Sequence, residues 1–245
     1  MVEDTVLLAC FGFCSGDGTG VCPAGDPALM LQGIIDFTVP SGGSDGKAIH
    51  LYVNEDIADL AQYGIGVANN GGGTDGQEYT FPTAAPTAGQ HILVVRSLEA
   101  MDAYMNASAI FDHVFVDEGG SISQNGDDAI ELYFLGGVVE VFGDVDVDGT
   151  GEAWEYLDSW AYKVNGEWTY GGVNCTDGST TSCDSGCPYP FADCTGDDLA
   201  AYLSVDGGWR YQYEVAGYRG VGPGDAMGAD WWNASPYEDF NNATF

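Results

Sequence analysis

Between residues 34 and 164, short alternating apolar runs are cut by clusters of Gly, Asn, Asp, Ser and Pro. The runs fall at residues 34–37, 48–53, 63–67, 79–81, 91–96, 113–116, 129–135, 138–142 and 160–164. Alternation buries one side of a strand, and the residues at the breaks supply the backbone angles that tight turns need. Many short strands at this spacing predict an all-β chain, a sandwich or a barrel. The clearest unit begins at Asn125-Gly126-Asp127-Asp128, runs through Ala129-Ile130-Glu131-Leu132, turns at Gly136-Gly137 and returns through Val138-Val139-Glu140-Val141-Phe142. That is a hairpin on an antiparallel sheet. Residues 71–76 have no Lys or helix after them, so they read as a hairpin tip and not a phosphate cradle. Helical spacing is confined to residues 97–104 and 197–203.

Hydrophobic residues make up 45% of the 245-residue chain and aromatics 13%, enough to build a core. Five Lys and Arg stand against 38 Asp and Glu, a net charge of −33. Such a surface repels nucleic acid and anionic membranes. It favours divalent cations or a basic partner, or keeps a crowded glycoprotein soluble. No apolar run approaches the length of a membrane span, so no membrane insertion is expected.

Seven cysteines fall in two groups, Cys10, Cys14, Cys22 and Cys175, Cys183, Cys187, Cys194, within Gly-, Ser- and Asp-rich surroundings. They read as disulfide-stapled loops, with one cysteine left over and the pairing open. Zinc is the competing reading at Cys183 and Cys187, but no histidine and no Cys-x-x-Cys accompanies them. Asn106, Asn174, Asn233 and Asn242 each open a glycosylation sequon, which points to a secretory route and to N-linked glycans. Residues 6–13 are apolar behind Glu3 and Asp4, where a signal peptide would carry positive charge. They are read as mature protein, and Val6, Leu7, Leu8, Phe11 and Phe13 as a candidate strand offered to a neighbour's sheet edge, the alternatives being a strand in its own chain or a signal remnant.

Further residues carry a family likeness: Ile49-His50-Leu51-Tyr52, then Leu60 and Tyr63, then Pro86, Gly89 and His91-Ile92-Leu93-Val94-Val95, and the Asn125-Gly126-Asp127 block. Together they make residues 31–165 resemble the lamin-tail family of secreted microbial and algal proteins. His50 stands in place of that family's usual Glu, and Glu140 stands where the family more often has Asp. The resemblance implies an immunoglobulin-like antiparallel β-sandwich over residues 31–170, with Cys-bearing, loop-rich extensions at 1–30 and 171–245. It also implies binding, adhesion or assembly and not catalysis.

Asp144, Asp146 and Asp148, with Gly149 following and Glu155 closing the loop, carry oxygens at the spacing of a calcium loop. Calcium is therefore the candidate cofactor, though none is required. An EF-hand needs flanking helices, whereas residues 138–142 read as a strand; a plain turn is the alternative. Adjacent acids such as Glu55-Asp56, Asp127-Asp128 and Asp197-Asp198 are too numerous to single out a catalytic pair. His50, His91 and His113 lie on separate predicted strands, and no Gly-x-Ser-x-Gly elbow accompanies them. Trp154 and Trp160 are expected in the core, and Trp231-Trp232 either against a glycan or another subunit or as a local lid over the core. The expectation is a non-catalytic extracellular structural or adhesive subunit that assembles with itself. The alternatives are a calcium-dependent carbohydrate-binding module and an accessory module of a secreted hydrolase.

Overall fold

The structure is a computed structural model and describes residues 27–38 and 43–194. Ten strands form two sheets: β1 (Leu29–Phe37), β2 (Gly46–Val53), β3 (Tyr63–Ala68), β4 (Tyr79–Thr80), β5 (His91–Val95), β6 (His113–Val116), β7 (Ala129–Phe134), β8 (Gly137–Phe142), β9 (Ser159–Val164) and β10 (Glu167–Tyr170). The six-stranded sheet runs β10-β9-β1-β2-β5-β6 and the four-stranded sheet β4-β3-β7-β8. Neighbours are antiparallel except β5 and β6, which run parallel. The fold is the all-β sandwich that the alternation predicts.

The core between the sheets takes Leu29, Leu31, Ile34, Ile49, Leu51, Val53, Ile92 and Val94 from the larger sheet, and Tyr63, Ile65, Val67, Ile130, Leu132 and Phe142 from the smaller. A bulge in β1 lets that strand serve two cores. Leu31 faces Leu51 and Gly33 faces His50, so Gln32 is the extra residue. The insertion shifts parity. Leu31 and Ile34 then share the inner face, while Ile35 and Phe37 point outward into a second buried cluster.

That outer cluster is what the sequence least announces. The helix α1 (Leu98–Met105) starts at Ser97, whose hydroxyl accepts from Ala100 N–H, and ends at Asn106 in left-handed conformation. With α2 (Ala107–Ile110) it lays Met101, Tyr104, Met105 and Ala107 over Ile35, Phe37, Leu93 and Val95. Residues 171–194 cover the rest as a flap, closed by disulfides Cys175–Cys187 and Cys183–Cys194. These four cysteines are disulfide-bonded, as expected.

Trp154 packs against the inner core, edge-on to Phe142, and Trp160 is buried in the outer one, as expected of core residues, where it donates from Nε1 to Cys187 O. Two expectations need correcting. The β7–β8 turn is Leu135-Gly136, both at positive φ, and Gly137 already belongs to β8. β10 was not foreseen, although Asn165-Gly166, with φ of 53° and 85°, is the two-residue turn that calls for a returning strand. Cys10, Cys14, Cys22, the offered strand (Val6, Leu7, Leu8, Phe11, Phe13), the predicted helix at 197–203, Trp231, Trp232, Asn233 and Asn242 lie outside the described residues.

Candidate functional site

Two features of the described residues place chemistry where it could act. The first is a buried polar chain under the flap. His50 on β2 and His91 on β5 occupy diagonal positions, since Tyr52 is directly opposite His91. His50 Nε2 lies 2.7 Å from His91 Nδ1, and His50 Nδ1 lies 2.9 Å from the hydroxyl of Tyr189 on the flap. The hydroxyl reaches this point because β1 has Gly33 there: a Cβ on Gly33 would stand 2.0 Å from it. Phe111, Tyr162 and Phe191 wall the cluster in, with Phe191 4.2 Å from the His91 ring centre.

Electrostatics follow from that enclosure. Burial holds His50 well below the usual imidazole pKa, and the neighbouring His91 adds to the effect. Burial also lowers His91, opposed by Asp112, whose carboxylate accepts from His91 N–H at 2.7 Å. The Tyr189 hydroxyl is pushed well up, by burial and then by Tyr162. Both rings are therefore neutral at neutral pH. The third histidine stands apart: His113 Nε2 is 3.2 Å from Gln90 Oε1.

The second feature is the open edge of the smaller sheet. Among the described residues β8 pairs only with β7. Its Val138, Val139 and Val141 are 44, 39 and 41% exposed, and Leu135 in the turn is 67% exposed. Leu135 also holds a φ of +50°, a conformation that costs a bulky side chain energy. Glu140, the one charged residue of the strand, turns inward, accepts from Leu31 N–H at 2.7 Å and pairs with Lys163. The exposed edge is thus apolar and uncharged on a chain of net charge −33.

The predicted calcium ligands do not converge. Asp144 accepts from Asp146 N–H, Asp148 from Thr150 N–H, and Glu155 from Gly151 N–H. Thr150 holds the Asp148 carboxyl below its usual range. Asp146 lies beside Gly73, in a loop tied to this one by the bond from Gly73 N–H to Val145 O. Among the described residues no three of His, Cys, Asp and Glu come together as a metal site. The segment is a chain of turns in which Asp144, Asp148 and Glu155 each accept from a nearby N–H.

Asn106 and Asn174 are exposed, each at positive φ, where a glycan would project into solvent. Behind Asn106, Ser108 is tied by its N–H and hydroxyl to Asp102. Behind Asn174, Thr176 donates to Asp158 O. No helix among the described residues is long and apolar enough to cross a membrane. In comparisons with known proteins no family model matches the chain, and no curated protein or solved structure is significantly similar to it.

Proposed function

We propose that the chain is a non-catalytic extracellular subunit, a lamin-tail-like sandwich that builds or adheres by associating with copies of itself. The observation that carries this reading is the β8 edge. A row of half-exposed valines on a strand edge that no described strand pairs with is a template for another strand. Acidic copies repel over most of their surface, and this strip, with Glu140 neutralised by Lys163, is where two copies can approach without facing like charges. Leu135 fits the same reading, because strain kept at an exposed apolar residue suggests a use for it. The two disulfides favour an oxidising compartment, and exposed Asn106 and Asn174 suit a secreted glycoprotein.

The test is sedimentation velocity and negative-stain imaging of the full chain beside Val138→Glu/Val141→Glu. Wild type should form dimers or filaments at micromolar concentration, and the double variant should stay folded and monomeric. A wild-type chain that is monomeric throughout would end the proposal. Deleting residues 1–13 separates the offered strand from the edge: assembly that persists assigns the contact to β8 alone.

A further inference from the structure

The flap over the outer face is held by a bond that counts protons. We propose that His50 and His91 form an acid-operated latch, which keeps residues 171–194 closed at neutral pH and lets them swing away when both rings are charged.

The geometry sets the stoichiometry. Neutral, the two rings carry one proton each, and with the Tyr189 hydroxyl proton these suffice for both bonds of the chain. One more proton is tolerated: His91 donates from Nδ1 to His50 Nε2, His50 donates from Nδ1 to the tyrosine oxygen, and the added charge sits on His91, the less buried ring. A further proton leaves N–H groups on both facing nitrogens, 2.7 Å apart. Two imidazolium rings cannot hold that distance inside an aromatic cage, so one must leave.

Leaving is easiest on the flap side. His50 and His91 are fixed to β2 and β5 in the middle of the larger sheet. The lid over them is the flap, through Tyr189 and Phe191. Titratable groups face the pair from each neighbouring element: Tyr52 from β2, Asp112 from the residue before β6, Tyr162 from β9 and Tyr189 from the flap. Asp112 alone is a carboxylate; it accepts from the backbone N–H of His91 and favours the first charge, on His91, so the second charge has no acid of its own beside His50. The flap also carries Asp177, Asp184 and Asp193. Asp184 is held below the usual carboxylate range, chiefly by Thr180 and Thr181 against the opposing effect of burial, so it titrates later than the latch.

Opening would uncover Phe37, Phe111, Trp160 and Tyr162, an aromatic floor that is now buried or half-buried. The two disulfides link flap residues to each other, so the loop keeps its shape and can close again when the pH rises. Acid would thus expose a second adhesive surface, separate from the β8 edge.

Hydrogen exchange of the full chain, corrected for intrinsic pH effects, reads the latch directly. Between pH 7.5 and 4.5 the amides of residues 171–194 should lose protection at least tenfold while those of β2 and β5 keep theirs. His91→Phe leaves a single ring and should move the midpoint at least one pH unit lower. NMR titration of the wild-type histidines supplies the same answer if that variant fails to fold, since His91 should titrate first with the flap closed and His50 should titrate together with flap opening. Flap protection unchanged to pH 4.5, flap and core opening together, or an unshifted midpoint in His91→Phe would each overturn the proposal.

Discussion

Gly33 shows how one missing carbon can decide a contact far along the chain. The Tyr189 hydroxyl occupies the space a Cβ would take, and Ala161 O lies 3.3 Å from the same point. Gly33→Ala must therefore push the tyrosine off His50 or bend β1. We expect a loss of about 1–3 kcal/mol in denaturant unfolding, the usual cost of overpacking. Tyr189→Phe alone should cost roughly 1–3 kcal/mol, because buried His50 loses a partner. In the double variant the two losses should fall short of their sum by at least about 0.5 kcal/mol, since the clash disappears with the hydroxyl. Strict additivity would show that the two do not meet. His50 sets the pH response. Its folded pKa lies below the ordinary value of 6.5, so its contribution is fully present above that pH and is lost as pH falls toward the folded pKa. The slope should approach about 1.4 kcal/mol per pH unit for this one buried ring. Urea midpoints measured from pH 7.5 to 5 check it, and a flat profile would refute it.

Turns and strands were the legible elements, and their failures have local causes. Period-two runs between Gly and Asn clusters located nine of the strands because each is short and bounded by turn residues. The Gln32 bulge was invisible, since Leu31 and Ile34 look like opposite faces until the extra residue is known. The His50–Tyr189 bond spans 139 positions, and neither end carries a local sign of the other. The alternating acids are ambiguous for a related reason: Asp residues at alternate positions suit successive turns as well as a calcium loop, and only the folded loop shows Asp144 and Asp148 each accepting from a nearby N–H. The β7–β8 turn was misplaced by one residue because Gly136-Gly137 is the expected pair, whereas Leu135 takes the left-handed position. Leu135→Asn places a residue there that tolerates such angles. It should raise unfolding stability by about 0.5–1 kcal/mol, a gain typical of relieved backbone strain. The same change should weaken association of the chain if the turn belongs to the contact between copies. A variant that is both less stable and equally associated would contradict both readings of the turn.

Charge is the property of the whole molecule that no single element explains. Subtracting five basic residues from 38 acids leaves −33, and the three described cations do little to relieve it. Lys47 pairs with buried Asp36, Arg96 lies 4.0 Å from Asp117, and Lys163 pairs with Glu140. All three are committed to acids inside the fold or at its seams. Folding gathers the remaining carboxylates onto one compact surface, while the unfolded chain spreads them, so repulsion disfavours the native state at low ionic strength. Salt shortens the reach of that repulsion from about 10 Å at 0.1 M to about 3 Å at 1 M. Raising NaCl over that interval should therefore stabilise the fold by at least about 2 kcal/mol, roughly 4–8 °C in thermal midpoint for a chain of this size. Sucrose at matched osmolality supplies the non-ionic control, because it strengthens burial without screening. Equal gains in salt and sucrose, or none in salt, would mean that repulsion is not what limits stability. Association through β8 should follow the same curve, since the uncharged strip can meet its copy only after the acidic flanks around it are screened.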